Sequence, residues 1–464
     1  MARIVYPRRA LSTNPLKQSA PLGAALAYLG IEGAVPLFHG SQGCTAFALV
    51  SLVRHFKEAV PLQTTAMNEV STILGGADQV EEAIGNLKKK NDPKFIGIAS
   101  TALTETRGED VAGDLKAMRA RRPDLADTAI VYASTPDFSG GLEEGWAKAV
   151  QAIVEELVPD TGGRRLEADP RQVTLLAASY MTPADIEALV DLIRAFGLEP
   201  IVLPDISTSL DGHVADAWSG TSLGGTRLDD IARLGRSVAT LVVGRSLIGA
   251  AEAIERRTGV PFRVFSAVTG LKCVDSLVAE LMRLAGANDA PTVVKRDRSR
   301  LVDASLDAHF HIGGRKVAIG ADPDLLFALS QTLTSMGADI VAAVSTASSN
   351  TVIEKVLADE VAIADLGELA ERAERAEAEL LITHSHGRQM AERLALPLIR
   401  AGFPIFDRLG VQDVCRVGYR GTRAFLYEVA NAVQAHHHSP QPHDFGAAPI
   451  GQEFDHARPQ TASH

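Results

Sequence analysis

The chain has 464 residues, more than one ordinary domain accommodates, and length alone points to roughly three. It is 46% apolar but only 5% aromatic, a soluble composition whose shortage of aromatics argues against an all-β design. The 46 Lys+Arg against 57 Asp+Glu leave a net charge of −11, which argues against nucleic acid or an anionic membrane surface as partner, and no apolar run is long enough to span a bilayer.

The chain opens with MARIVYPRRALSTNPL, where no apolar stretch follows Arg8-Arg9, so no signal peptide is expected. Further on, one unit recurs: a short β-rich apolar run ending in small polar residues, then an amphipathic stretch. The runs are FIGIAST (95–101), AIVYAST (129–135), VTLLAAS (173–179), PIVLPD (200–205), TLVVG (240–244), KVAIGAD (316–322), IVAAVST (340–346), LLITHS (380–385) and PLIRAG (397–402). Between them lie helical patterns such as LEEGWAKAVQAIVEELV, TPADIEALVDLIRAFG and DPDLLFALSQTLTSMG. In the second, Thr182-Pro183 with Asp185 and Glu187 marks a helix start and Gly197 its end. Continuous apolar strands alternating with helices predict an α/β fold of parallel sheets covered on both faces.

Two Gly/Pro/charge-rich stretches, 158–172 and 285–300, read as linkers. They divide the chain into three expected doubly wound, Rossmann-like domains at 1–160, 170–286 and 295–435. The segment 436–464 is His/Pro-rich and aperiodic, and it reads as a disordered tail holding six of the thirteen histidines. Ligands of doubly wound sheets bind outside the carboxyl ends of the strands, which here carry Ser100-Thr101, Ser134-Thr135, Asp205, Ser345-Thr346 and His384. No GxGxxG opens a helix after a first strand and no GxxxxGK[ST] occurs, so nucleotide binding has no support.

The stretch GAVPLFHGSQGCTAFALV places Cys44 in an apparent loop that Gly40 and Gly43 leave nearly bare. The three cysteines, Cys44, Cys273 and Cys415, form no CxxC and no even-numbered framework, which points to a reducing, cytoplasmic compartment. As a nucleophile Cys44 would need a base, and His39 and His55 are the only histidines in the first 200 residues. With His39 it makes half of a zinc site. An iron–sulfur cluster wants four thiolates, and the chain has one candidate. A lone cysteine is ordinarily a small buried hydrophobe. Glycines on either side let backbone come close to something and aim N–H groups at an anion, which a core cysteine does not need. Cys273, at the start of an amphipathic helix, and Cys415, in a predicted strand, read as packing residues.

Four stretches, NPLKQSAPLGAALAYLGIEGAVPLFHGSQGC, RHFKEAVPLQTTAMNEVSTILGG, IASTALTETRGED and HGRQMAERLALPLIRAGFPIFDRLG, resemble the β-type subunits of the nitrogenase component 1 superfamily over about Asn14 to Val433. The catalytic β subunits of that family supply three cysteines to a shared eight-iron cluster. Here those positions are Ser19, Cys44 and Ala102, so two of three thiolates are missing. That pattern, with TETRGED and GGTRLDDIARLGRS, is similar to the β-type subunit of the scaffold on which the iron–molybdenum cofactor is matured. The resemblance implies a [4Fe–4S] cluster shared with a NifE-like α-type subunit, Cys44 supplying one ligand and the partner three, in an α2β2 tetramer. It also implies an iron–molybdenum cofactor precursor held mainly by the partner, transient docking of the nitrogenase iron protein, and contact with other cofactor-assembly proteins.

Cys44 is then the metal ligand, Gly43 and Ser19 are expected beside the cluster, and no catalytic residue is expected. Ser19 also reads as an ordinary serine before a helix, and His39 as a satisfied structural histidine. RHFKEAV reads as a helix end with a solvated face, Asp407 and Arg408 as a pair, and His384 and His386 as strand-end residues for which a ligand role is conceivable. Two other readings stay open: the β-type subunit of a nitrogenase-like reductase (molybdenum–iron protein or dark-operative protochlorophyllide reductase), and an unrelated three-domain α/β enzyme with Cys44 a bystander.

Overall fold

The computed structural model describes residues 1–7 and 14–438. Its strands are β1 (Arg3–Val5), β2 (Ala34–His39), β3 (Gln63–Thr64), β4 (Phe95–Ser100), β5 (Ala129–Ala133), β6 (Gln172–Leu176), β7 (Glu199–Leu203), β8 (Thr240–Val243), β9 (Phe262–Phe265), β10 (Lys316–Ala321), β11 (Asp339–Ser345), β12 (Glu360–Ile363), β13 (Leu380–Thr383) and β14 (Leu398–Arg400). They form three sheets, ordered β3-β2-β4-β5, β7-β6-β8-β9 and β1-β12-β11-β10-β13-β14. Every pairing within them is parallel, the α/β arrangement expected.

All nine apolar runs are strands, and the three quoted helical patterns are helices at Leu142–Leu157, Pro183–Arg194 and Pro323–Ser335. Thr182 caps the second, its hydroxyl accepting the Asp185 N–H at 3.0 Å while the Asp185 carboxylate takes the Thr182 N–H. After that helix the chain turns through Gly197 at φ +76°, a left-handed conformation open to glycine.

The first strand departs from the expected partition. Arg3–Val5 pairs with β12 and so joins the third sheet, although it lies in the segment assigned to the first unit. The last helix, Gly418–His438, carries the chain through the point where the tail was expected to begin at His436, and 439–464 lie outside the described residues. Cys415 sits in an irregular stretch before that helix, not in a strand.

Helix α1 (Ala20–Leu29) is buried along its whole length. It crosses Leu142–Leu157 at backbone contact: a Cβ on Gly23 would lie 1.9 Å from the Leu142 carbonyl oxygen, and one on Gly145 1.8 Å from that of Ala20. From the second helix of this pair, Trp146 donates its indole N–H to the Ala177 carbonyl just beyond β6 at 2.9 Å, stitching the first unit to the second. One apolar core runs through both units, and further cores flank the six-stranded sheet.

Candidate metal centre

Helix α2 (Gln42–Phe56) begins three residues after β2 ends, so the glycine-rich stretch is not a loop. Gly40 and Ser41 alone make the turn. Ser41 takes the N-cap position with extended backbone (φ −78°, ψ 157°), a role serine favours, and Gly43 enters the helix. Cys44 is the third residue of that helix. Its sulfur accepts a hydrogen bond from the Ser41 hydroxyl at 3.5 Å, and the side chain is exposed. The unpaired N–H groups of a first helical turn favour an anionic neighbour.

Short bonds from three sides hold the turn. Gly40 N–H donates to Thr65 Oγ1 (3.1 Å), and the Gly40 carbonyl accepts from Thr64 Oγ1 (3.2 Å) and Met67 N–H (2.9 Å). The His39 carbonyl accepts from Thr101 Oγ1 at 3.0 Å. A Cβ on Gly40 would lie 2.3 Å from Thr101 Oγ1, so only glycine lets the β2 and β4 ends approach this closely. At Gly43 the opposite holds. Its nearest neighbour to a hypothetical Cβ is Ser41 Oγ at 4.0 Å, so this chain's own packing does not require a glycine there.

Ser19 is the N-cap of α1, half-buried, and its side chain makes no capping bond. Ala102 is the first residue of the helix Ala102–Arg107, and its N–H points to Asp137 Oδ2 at 3.4 Å. The Gln18 carbonyl, next to Ser19, packs near Gly141 at the end of the same β5 connection that carries Asp137. Ser19, Cys44 and Ala102 are thus each at a helix N-terminus, distributed along the carboxyl edge of the β3-β2-β4-β5 sheet.

The histidines are structural. His39 is fully buried with Nδ1 3.1 Å from Thr65 Oγ1 and Nε2 2.9 Å from Glu109 Oε2, so both ring nitrogens are engaged. Burial pushes its pKa down, with Glu109 opposing. His55, in the segment read as a solvated helix end, is buried. Its Nδ1 accepts the Ile405 N–H at 2.8 Å, and burial pushes it down to about 3. His384 is also buried, pushed down to about 4, its Nε2 bonded to the Leu16 carbonyl and its Nδ1 accepting the His386 N–H. Asp407 pairs with Arg400 at 2.8 Å, not with Arg408.

Cys273 and Cys415 are half-buried in other elements. Burial raises both thiols, Cys415 to about 12 with the nearby Asp185 charge adding to the shift. Among the described residues no group of three or more His, Cys, Asp or Glu is placed to hold a metal ion. Cys44 is an exposed soft donor that belongs to no such group.

Sequence reasoning missed what lies beside it. Phe47 (80% exposed), Val50 and Val53 stand on the outer flank of α2, and Ile73 is exposed as well. The signal was present in TAFALVSLVRHF, whose apolar residues cover more of the helix circumference than one buried face needs.

Three parallel α/β sheets with one exposed cysteine at a helix start define the class of protein to which this chain can be compared. The chain belongs to the nitrogenase component 1 type oxidoreductase family, whose profile matches residues 19–434. It is 66% identical over 456 residues to the nitrogenase iron-molybdenum cofactor biosynthesis protein NifN of Rhodobacter capsulatus, covering 98% of each chain. It is 52% identical to the protein of that name from Mesorhizobium japonicum, covering 95% of each, and 37% identical to that of Klebsiella pneumoniae, covering 94% of each. A solved structure titled nitrogenase Cp1 at pH 6.5 superposes with a TM-score of 0.86 at 28% identity, covering 93% of this chain and 95% of the other. No helix among the described residues is long and apolar enough to cross a membrane.

Proposed function

We propose that this chain is the β-type subunit of a NifEN-type scaffold complex on which the iron–molybdenum cofactor precursor is matured, and that Cys44 supplies one of four ligands to a [4Fe–4S] cluster shared with a NifE-like α-type subunit. The observation that carries this reading is Cys44 itself: an exposed thiol at the first turn of α2, beside an exposed apolar flank, belonging to no group of three or more His, Cys, Asp or Glu placed to hold a metal among the described residues. A cubane cluster needs four ligands, so three must come from outside. The names of the relatives supply the cofactor-assembly context.

The donor set fits such a group as one quarter of a site. When bound, the cluster would supply one-electron transfer. The chain's own residues do the rest. Ser41 hydrogen-bonds the sulfur, the first-turn N–H groups face negative charge, and the Thr64, Thr65 and Thr101 bonds fix the turn. Gly43 keeps the helix start low, so that a partner surface can close over it. Ser19 and Ala102 speak against an eight-iron cluster and hence against a catalytic molybdenum–iron β subunit.

The composite surface over Cys44 is where the nitrogenase iron protein docks, transiently and with salt sensitivity on an acidic chain. The setting is the cytoplasm, and the precursor rides mainly on the partner. Iron analysis and electron paramagnetic resonance on the chain, purified anaerobically with and without its partner, test the reading. Alone it should hold close to no iron; in the complex it should show a cubane signal that Cys44→Ala weakens or abolishes. A full iron complement on the isolated chain would overturn the shared site.

A further inference from the structure

A cavity of about 310 Å3 lies where the three sheet units meet, at the lower end of the range of small-molecule sites. Leu26 and Phe56 wall it from the first unit, Met181 from the second, and Leu325, Phe403 and Val411 from the third. The exposed Arg408 and Leu409 mark its mouth. Its floor is the segment Ser179–Pro183 that follows β6. In the order β7-β6-β8-β9 the chain leaves β6 for β7 on one side and reaches β8 on the other only later, so this floor sits at a topological switch point. Open parallel sheets bind ligands there.

The charges inside the walls are met by ion pairs or backbone groups, and Arg408, exposed at the mouth, donates among the described residues only to the Asp407 carbonyl at 3.4 Å. Arg400 pairs with Asp407 at 2.8 Å and Arg416 with Glu428 at 3.0 Å. Asp185 accepts the backbone N–H groups of Thr182, Arg416 and Val417. His55 is neutral, its Nδ1 taking the Ile405 N–H.

Neutral polar capacity is left over. Among the described residues thirteen buried side-chain polar atoms lack a partner, and four belong to residues lining this one cavity: Ser179 Oγ, Tyr180 OH, Gln412 Oε1 and Arg416 Nε. Buried polar groups are ordinarily satisfied, and an orphan costs the full desolvation of its group. Four on one lining is a concentration that a ligand would resolve. Two hydroxyls and one guanidinium N–H can donate, and one amide oxygen can accept.

We propose that this cavity binds a small, uncharged, mainly apolar organic molecule whose polar end carries a carbonyl-type oxygen and one hydrogen-bond donor, held by Ser179, Tyr180, Gln412 and Arg416. The assignment stands apart from the cluster reading, since it uses none of the residues of the Cys44 turn.

Prodan, an uncharged naphthalene bearing one ketone, is a suitable probe. Titrated into the full-length chain in its purified complex, it should show one saturable site with blue-shifted emission. Ala328→Phe, which fills the cavity from the helix Pro323–Ser335, should abolish that site. Tyr180→Phe should weaken binding about 3- to 10-fold, the worth of one hydrogen bond. Purely non-saturable binding, or unchanged affinity in a folded Ala328→Phe chain, would overturn the proposal. Should Ala328→Phe fail to fold, the Ser179→Ala/Tyr180→Phe double variant decides: unchanged Prodan affinity at unchanged Tm overturns it equally. Tighter binding of the anionic dye anilinonaphthalene sulfonate at the same site would overturn the uncharged class of ligand.

Discussion

Glu109 Oε2 lies 2.9 Å from Nε2 of the fully buried His39, tying the segment before the helix Val111–Arg121 to the last residue of β2. The same carboxylate accepts the Gly76 N–H through Oε1 at 3.1 Å. One side chain therefore anchors the residue from which the Cys44 turn departs. Glu109→Ala strips two buried donors of their acceptor and should cost about 2 kcal/mol in urea unfolding. Iron retention in the complex should fall with it. A loss smaller than about 0.5 kcal/mol, the ordinary scatter of surface substitutions, would mean that the pair does not hold the turn.

Gly40 and Gly43 make a matched test because they fail or tolerate a Cβ for different reasons. Gly40→Ala forces its methyl group against Thr101 Oγ1 and should destabilise the chain by about 1–3 kcal/mol. Gly43→Ala meets nothing in its own chain and replaces a poor helix former. It should raise the Tm of the isolated chain, by up to about 1 kcal/mol in stability. In the complex the same methyl group should weaken assembly, measured as a higher dissociation constant for the α-type partner. Unimpaired assembly would show that nothing packs against Gly43.

The buried His384 sets a pH dependence with a definite sign. Its ordinary value is 6.5 and the folded chain holds it near about 4, chiefly through burial. Below pH 6.5 the unfolded chain takes a proton that the folded ring refuses. The stability it contributes is present above 6.5 and is lost as pH falls toward 4, by about 2 kcal/mol at pH 5. His384→Gln should be less stable at pH 7 yet lose about that much less between pH 7 and pH 5. Asp322, pushed up to about 6 by burial, pulls the opposite way in both chains, so the difference between them isolates the histidine. Parallel pH profiles would contradict the assignment.

Asn350 holds two buried carboxylates from different units. Its amide donates to Glu143 Oε1 and to Asp324 Oδ1, each at 2.9 Å, while Glu143 Oε2 accepts the Asp324 N–H. Burial raises the Glu143 carboxyl well above its usual range, with the Asp324 charge adding to the shift, and Asn350 opposes that rise. A carboxyl whose folded value is raised loses stability as pH climbs from its unfolded value through its folded one. Asn350→Ala should therefore cost about 2–3 kcal/mol and cost more at pH 8 than at pH 6. A loss independent of pH would mean that the amide does not shift the titration of Glu143.

Much of this architecture is readable from the chain. The nine apolar runs are strands because long apolar stretches ending in small polar residues have few other stable fates in an α/β protein. β2 escapes that reading because Pro36 interrupts it and His39 ends it, although all six of its residues are buried. β1 and β3 are too short to carry a period, and β1 owes its existence to β12, far away in sequence. At the site, the importance of Cys44 is legible from the glycines around it. Its placement on a helix is not, because glycine at 43 masks the helical pattern that Ser41 begins. Cys415 reads as a strand from its apolar neighbours, but packing between Asp185 and the last helix overrides that local preference.

The pairing of β1 with β12 has a consequence for biosynthesis. Arg3 emerges from the ribosome long before Glu360, its partner in the sheet. At about 5–20 residues per second that interval is on the order of tens of seconds. Throughout it, the leading strand has no edge to join, and the six-stranded sheet cannot close until β12 has been made. A change within Arg3–Val5 would thus burden a late assembly step of the six-stranded sheet, which is separate from the sheet whose strand β2 leads into the Cys44 turn.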